Sequence, residues 1–129
     1  GKSILEALEN GVSQIEGKAG RFPQVSGIQF AYDISKSPGK RIRDVFVQGK
    51  RLDLQKLYLV ATTNYMFNGG DGYSTLKEGK VLLSPLKQIS LVDTIADYIK
   101  KMPLILSPVE GRIQILGNDQ NLDSTSFVD

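Results

Sequence analysis

The 129-residue sequence contains no histidine, no cysteine and no tryptophan. Without imidazole or thiolate groups, the chain has no histidine base, no cysteine nucleophile, no disulfide and no zinc site of the usual ligand types. A complete metal-dependent or histidine-based enzyme is therefore excluded. Carboxylate-only catalysis, as in glycosidases, and a purely binding function both remain open.

Charge and hydropathy narrow the choice of partners. The chain carries 16 Lys plus Arg against 14 Asp plus Glu, and a formal charge of +2 is too small to indicate binding to a nucleic acid polymer or a charged membrane. No apolar run approaches the roughly 20 residues of a membrane helix, so we expect no membrane insertion. The chain starts Gly1-Lys2-Ser3, without an initiator Met or an apolar signal stretch, which predicts a piece cut from a longer chain.

Two helices are predicted from capping residues and apolar spacing. Ser3 and Glu6 form a capping box at the start of a helix expected over residues 3–16. Ser90 begins a second helix, which Pro103 ends. The apolar stripe of the second helix comprises Val92, Ile95, Ala96 and Ile99.

Short strands separate these helices. Alternation predicts a half-buried strand over residues 28–33, and Gln48-Gly49 is typical of a tight turn between strands 42–47 and 50–52. Residues 57–63 are almost all apolar or β-branched, which predicts a central strand buried on both faces. Further short strands are expected at residues 81–83 and 112–116.

This order predicts an α+β fold, a single compact domain with a mixed β-sheet whose hairpins pack against a few helices. The domain is expected over residues 1–116. The polar residues 117–129 are expected to form a tail, either a linker or disordered.

Seven basic residues lie between positions 36 and 56. They could attract phosphate groups, but such charges more often form the solvated face of a hairpin, and we favour that interpretation. They are Lys36, Lys40, Arg41, Arg43, Lys50, Arg51 and Lys56.

The strongest local signal for a ligand is the segment Asn68-Gly69-Gly70-Asp71-Gly72. Three glycines allow positive φ angles and close backbone approach, and Asp71 is an acceptor suited to a pair of vicinal hydroxyls. The same composition is also typical of a tight turn. One carboxylate cannot supply the 6 to 8 ligands of calcium, and a phosphate loop needs a Lys-Ser or Lys-Thr where Tyr73 stands.

Aromatic residues accompany the two predicted loops. Phe22 lies in the first loop, and Tyr65, Phe67 and Tyr73 surround the glycine-rich segment. Two aromatic faces presented from loops can sandwich a planar base. Most Phe and Tyr side chains instead pack in a core, so both interpretations stay open from the residues alone.

Two motifs together resemble the C-terminal domain of the 5'-nucleotidase family. The first runs from Gly20 to Gly27 (GRFPQVSG), and the second from Asn64 to Tyr73 (NYMFNGGDGY). Their order and separation both match. The opening residues 4–10 and the closing residues 109–113 are also similar, so the resemblance covers residues 1 to about 116.

The resemblance implies a function for this domain. In the family, an N-terminal metallophosphoesterase domain carries two divalent metal ions and the catalytic residues, and the C-terminal domain holds the nucleoside. Phe22 and Tyr65 would then form the two faces of a base clamp, and Asp71 would accept hydrogen bonds from the ribose. Asn68, Gly69, Gly70 and Gly72 would shape the loop. Many members have Phe where Tyr65 stands.

The resemblance and the composition agree that the reaction centre lies elsewhere. The fragment is expected to contain no catalytic residue, metal or cofactor, and to be inactive alone. Its partners would be a nucleoside or nucleotide and the N-terminal domain of the same chain. The resemblance also implies an extracytoplasmic location: secreted, periplasmic or surface-anchored.

Alternative functions remain. The domain could be a non-binding structural or interdomain module. It could belong to the branch that hydrolyses 2',3'-cyclic nucleotides or nucleotide sugars, although Gly70-Asp71-Gly72 resembles the 5'-nucleotidase branch most. A self-contained carboxylate enzyme is the third alternative.

Overall fold

A four-stranded mixed sheet organises the fold in the computed structural model, which describes residues 1–82, 90–106 and 108–117. Its strands are β1 (Ile28–Asp33), β2 (Ile42–Val47), β3 (Lys50–Arg51) and β4 (Ile113–Leu116), in the order β3-β2-β1-β4. Strand β2 pairs antiparallel with β1 and β3, whereas β4 pairs parallel with β1. The predicted α+β fold with a mixed sheet and hairpins is confirmed.

The turn between β2 and β3 forms where the sequence predicts it. Gln48 and Gly49 have φ angles of 50° and 74°. A two-residue hairpin turn of this kind needs positive φ at both positions, because only then does its twist match that of the strands. The hairpin is therefore fixed locally by its own residues.

Helix α1 (Lys2–Gly11) packs on one face of the sheet and closes the core. The buried cluster consists of Leu8, Val12, Phe30, Tyr32, Ile42 and Val45. Phe30 and Val12 are completely buried. The core thus lies between the C-terminal half of α1 and the two central strands.

Both ends of α1 differ from the prediction. The helix begins at Lys2 without a side-chain cap, and the Lys2 N–H donates to the carbonyl oxygen of Leu54 at 3.1 Å. The helix ends at Gly11 instead of residue 16, and turns follow as far as Lys18. Gly11 is buried, and a Cβ there would lie 2.6 Å from Cδ of Pro23. The helix therefore ends where the first loop crosses it.

The prediction of a central strand over residues 57–63 is wrong. The segment is irregular, and Leu57 and Leu59 are 94% and 84% exposed. In the described sheet, β1 lies between β2 and β4 and is the strand with Phe30, Ala31 and Tyr32 all buried. Burial on both faces therefore occurs at β1, for which alternation had predicted only half-burial.

Helix α3 (Leu91–Lys100) begins as predicted, since the Ser90 hydroxyl accepts a hydrogen bond from the N–H of Asp93 at 3.3 Å. Its apolar stripe is not buried by the described residues. Val92, Ile95 and Ile99 are 74%, 49% and 41% exposed. A short helix α2 (Asn64–Phe67) opens the segment that the sequence analysis treated as a loop.

The sequence predicts two short strands and a tail in the C-terminal third of the chain. The strand expected over residues 112–116 is β4. Val81 and Leu82 lie in no strand, and Leu83 lies outside the described residues. The expected tail also lies outside them, apart from Gly117. Of the helices described, none combines the length and the apolar character needed to cross a membrane.

One of the seven basic residues contradicts the interpretation of a solvated face. Arg41 is only 3% exposed, whereas the other six are exposed. Its guanidinium donates to the carbonyl oxygens of Val12 (2.7 Å) and Lys36 (2.9 Å) and to the carboxylate of Glu16. Arg41 therefore joins the end of α1 to the start of β2.

A carboxylate makes a second connection at the same place. The two oxygens of Glu9 accept the backbone N–H groups of Arg41 (3.0 Å) and Ile42 (2.8 Å). Hydrogen bonds to an ionised acceptor are among the stronger ones in proteins. Glu9 thus connects the C-terminal half of α1 to the start of β2.

Candidate functional site

The glycine-rich segment follows a capped turn of helix. Helix α2 begins after Thr63, whose hydroxyl accepts the N–H of Met66 at 3.2 Å. Behind the helix, Gly69, Asp71 and Gly72 have φ angles of 85°, 51° and 81°. Glycine adopts this conformation freely, and Asp is one of the few other residues that tolerate it. The sequence therefore folds here into a tight turn that exposes the Asp71 carboxylate.

Tyr65, Gly70 and Asp71 lie against one another at the surface. A Cβ at position 70 would lie 2.5 Å from the Tyr65 ring, so the ring rests directly on the glycine. The Tyr65 hydroxyl donates to Oδ1 of Asp71 at 3.1 Å. Tyr65 is 57% exposed, and Asp71 is exposed as well. An aromatic ring and a carboxylate thus share one solvent-facing surface.

The remaining predicted loop residues shape this turn. The Asn68 side-chain amide donates to the carbonyl oxygen of Asn64 at 2.8 Å. Asn68 therefore caps the C-terminal end of α2. A Cβ on Gly69 would lie 2.9 Å from Cε of Lys77. Both residues therefore act on the conformation of the loop.

Phe22 lies in the first loop, at the edge of the core. Its ring makes an edge-to-face contact with Tyr32, with centroids 5.9 Å apart, and it is half-buried. Its surroundings form an open recess of about 320 Å³ lined by Ile15, Lys18, Ala19, Phe22 and Tyr32. In the described part of the chain, no ring contact joins Phe22 to Tyr65, so the rings of the two predicted clamp residues do not touch each other.

Three residues that the sequence analysis did not assign to the site bring the two loops together: Asn10, Arg21 and Tyr73. The Asn10 amide nitrogen donates to the Asp71 carbonyl oxygen at 3.0 Å, and its oxygen accepts from Nη1 of Arg21 at 3.3 Å. The Tyr73 hydroxyl donates to the Arg21 carbonyl oxygen at 2.6 Å. Asn10 is a poor helix former directly before Gly11, which is the one sequence signal that could have drawn attention to it.

The environment of Tyr73 changes its acidity. Tyr73 is only 3% exposed. Burial raises the pKa of its hydroxyl, and the nearby Asp71 charge raises this pKa further, against a smaller lowering by Arg21. Nε of Arg21 is buried and has no hydrogen-bond partner in the described structure. The Tyr73 hydroxyl is therefore kept in its neutral form, in which it can donate to the first loop.

Residues 1–78, which contain both loops and all of the predicted site residues, match the model of the family described as 5'-nucleotidase, C-terminal domain. The chain belongs to this family.

Known 5'-nucleotidases show the same relationship over most of the chain. A crystal structure of a 5'-nucleotidase precursor from Thermus thermophilus is 41% identical, with a TM-score of 0.81 over 89% of this chain and 23% of that one. The trifunctional nucleotide phosphoesterase of Bacillus subtilis (strain 168) is 37% identical over 122 residues, 88% of this chain and 8% of that protein.

The snake venom 5'-nucleotidase of Macrovipera lebetinus is 34% identical over 125 residues, 90% of this chain and 30% of that protein. The chain thus spans less than a third of the length of each of these three relatives.

The described residues of this 5'-nucleotidase C-terminal domain include no cluster of side chains that could hold a metal ion. Within residues 1–82, 90–106 and 108–117, no three Asp, Glu, His or Cys side chains come close enough to share one. The exposed groups of the candidate site include the aromatic ring of Tyr65 and the carboxylate of Asp71.

Proposed function

We propose that this chain is the nucleoside-binding domain of a 5'-nucleotidase-type phosphohydrolase. The domain, over residues 1–116, would stack a nucleobase between Phe22 and Tyr65 and hold the ribose hydroxyls with Asp71. The observation that carries the proposal is the shared surface of Tyr65, Gly70 and Asp71. It puts an exposed aromatic ring beside an exposed carboxylate, the two groups that a nucleoside needs for stacking and for its vicinal hydroxyls.

The present contacts of these residues are compatible with ligand exchange. The Tyr65 hydroxyl donates to Asp71 at 3.1 Å, and a ribose hydroxyl could replace this donor without leaving the carboxylate unpaired. The recess beside Phe22 is open and lined mainly by apolar groups, which suits one face of a flat base. Asn68, Gly69, Gly70 and Gly72 would maintain the loop.

Hydrolysis is assigned to an N-terminal metallophosphoesterase domain of the same protein. Two divalent metal ions there would supply hydroxide activation and charge stabilisation at the phosphoryl group. The short span of this chain relative to its relatives supports the assignment. We also place the protein outside the cytoplasm, secreted, periplasmic or surface-anchored, as the name of the venom relative suggests for that enzyme.

Titration of the 129-residue chain with adenosine, followed by ¹H–¹⁵N NMR, tests the binding function. A single base clamp with a few ribose hydrogen bonds must overcome the cost of immobilising the ligand, so we expect a Kd of about 1 mM. The shifts should centre on Phe22, Tyr65 and residues 68–72. No response at about 20 mM adenosine, which is about 20 times that Kd, would favour the non-binding module.

Aromatic variants make the test specific. Tyr65→Ala should weaken adenosine binding at least fivefold, since stacking on one aromatic ring contributes about 1–3 kcal/mol. Tyr98→Ala is the matched control, because Tyr98 is a similarly exposed tyrosine (65%) on α3. Equal effects of the two variants would contradict the clamp.

Activity assays test whether nucleoside binding and hydrolysis belong to different domains. In the complete enzyme, Tyr65→Ala should lower kcat/KM for nucleotides much more than for a small aryl phosphate, which has no base to stack. The 129-residue chain alone should hydrolyse neither phosphate esters nor glycosides. Turnover of either substrate by the purified chain would contradict the assignment of catalysis to another domain.

A further inference from the structure

The two loops of the candidate site meet on the last turn of α1, and one side chain touches both. Asn10 donates through Nδ2 to the Asp71 carbonyl oxygen (3.0 Å) and accepts through Oδ1 from Arg21 (3.3 Å). A carboxamide carries a donor and an acceptor on the same planar group, so one residue satisfies both partners. Asn10 therefore connects two segments that lie 61 and 11 residues away along the chain.

The contact between Asn10 and the glycine-rich loop is tight. A Cβ at position 72, where φ is 81°, would lie 2.7 Å from Oδ1 of Asn10, so glycine suits both the backbone conformation and this close approach. Next to it, a Cβ on Gly11 would lie 2.9 Å from the Tyr73 hydroxyl. The last turn of α1 is thus packed directly against Gly72 and the Tyr73 hydroxyl.

Asp71 has a backbone conformation that benefits from outside support. Its φ and ψ angles of 51° and 27° are left-handed, a conformation that Asp tolerates better than most residues but still at a cost compared with glycine. The hydrogen bond from Asn10 is made to the carbonyl group of this very residue. The Asn10 amide thus contacts the backbone that carries the Asp71 carboxylate, while the Tyr65 hydroxyl contacts the carboxylate itself.

Asn10 is itself held firmly. Its neighbour Glu9 accepts two backbone N–H groups at the start of β2, from Arg41 and Ile42. Val12, two residues beyond Asn10, is completely buried and accepts from the Arg41 guanidinium. The Asn10 side chain thus projects from a part of the chain that Glu9 and Val12 connect to the sheet.

We propose that Asn10 is a positioning residue, which holds the Asp71 backbone in its left-handed conformation and so aims the Asp71 carboxylate at the ribose hydroxyls. Asn10 acts through Asp71 and does not itself touch the nucleoside. The ribose part of this inference rests on the proposed function, whereas the control of the Asp71 backbone does not.

The test compares Asn10→Asp and Asn10→Ala with the control Gln14→Ala in the 129-residue chain. Asn10→Asp keeps the size of the side chain and the acceptor for Arg21 but removes the donor to Asp71. Gln14 is an exposed amide four residues further on. The ligands are adenosine and 2',3'-dideoxyadenosine, which share the base and differ in the ribose hydroxyls.

Two readouts separate positioning from general destabilisation. Without ligand, both Asn10 variants should speed amide hydrogen exchange of Gly72 and Tyr73, whereas Gln14→Ala should not. With ligand, we expect the wild type to prefer adenosine about tenfold, as for a hydrogen bond to a charged group. Both Asn10 variants should reduce this preference to about twofold and leave dideoxyadenosine affinity nearly unchanged, because stacking on Tyr65 does not need Asp71.

The outcomes distinguish this inference from the proposed function. A wild-type preference that Asp71→Asn abolishes but both Asn10 variants retain would overturn the inference alone. A wild type that binds both ligands equally would refute the ribose role of Asp71, and the ribose part of the inference would fail with it. Unchanged exchange of Gly72 and Tyr73 in both variants would overturn the control of the backbone whatever the ligands do.

Discussion

Replacement of Arg41 by methionine should destabilise the domain strongly, because Arg41 is the buried connection between α1 and β2. Methionine fills similar space without the guanidinium. The substitution leaves the buried Val12 carbonyl and the partly buried Lys36 carbonyl without their donor at 2.7 and 2.9 Å. A bond from a charged donor contributes about 1.5–3 kcal/mol when buried and less when partly exposed.

The two lost bonds give an expected cost of about 3 kcal/mol, because removing a buried charge offsets part of the loss. For a domain of this size, that cost corresponds to a fall in Tm of about 12 °C. Glu16→Gln is the informative companion variant, since the Glu16 side chain is 65% exposed, although the Arg41 side chain of the ion pair is only 4% exposed. Exposed ion pairs contribute little, so Glu16→Gln should cost only a small fraction of the Arg41→Met effect.

Urea denaturation and calorimetry at pH 7 measure both variants. The stabilisation by Arg41 comes mainly from its bonds to the two carbonyl groups and less from the ion pair. This expectation would be refuted if Arg41→Met cost less than about 1 kcal/mol, the contribution of one ordinary hydrogen bond, or if Glu16→Gln cost as much as Arg41→Met.

Three further predictions concern pH and the glycine-rich loop. Burial raises the pKa of Tyr73 above its ordinary 10.0, so the stabilisation that neutral Tyr73 contributes is fully present below pH 10 and is lost as the pH rises through the raised pKa. Tyr73→Phe should therefore be less stable than the wild type at pH 7, but its thermal stability should decline less at alkaline pH. The Arg41 hydrogen bond lowers the pKa of Glu16 below 4.5, so the free energy of unfolding should fall as the pH drops from about 5 towards 3. Glu16→Gln should lose less stability over that range, and parallel stability curves for the variant and the wild type would contradict this. Gly70→Ala should displace the Tyr65 ring, which lies 2.5 Å from the added Cβ, and weaken adenosine binding while changing Tm by only about 2 °C; an unchanged Kd would count against the ring's role.

Local signals predicted the parts of the fold that local residues determine. Gln48-Gly49 produces the β2–β3 turn through its own φ angles, and Ser90 caps α3 through its own hydroxyl. The glycine-rich segment forms the expected tight turn. In each case, the residues that carry the signal are also the residues that make the stabilising contact, so one stretch of sequence was sufficient.

Predictions failed where a distant partner decides the outcome. Helix α1 ends at Gly11 because Pro23 and Tyr73 pack there, which no capping pattern encodes. The apolar character of residues 57–63 predicts burial but does not show which strand they would pair with. In the described sheet, β4 is the second neighbour of β1, and residues 57–63 form no strand.

Arg41 and Asn10 were missed for the same reason. Their types suggest surface positions, and their roles depend on carbonyl groups from other segments, among them those of Val12 and Asp71.

The parallel pairing of β1 with β4 also has consequences for biosynthesis. Asp33 pairs with Leu116, so about 80 further residues must leave the ribosome before the central strand gains its second neighbour. Until then, the backbone groups of Phe30 and Tyr32 present an open edge to which other nascent chains can add. Closing so long a loop is slow compared with forming the β1–β2 hairpin. The completion of this domain is therefore a late event, and chaperones that cover exposed strand edges would act on this strand.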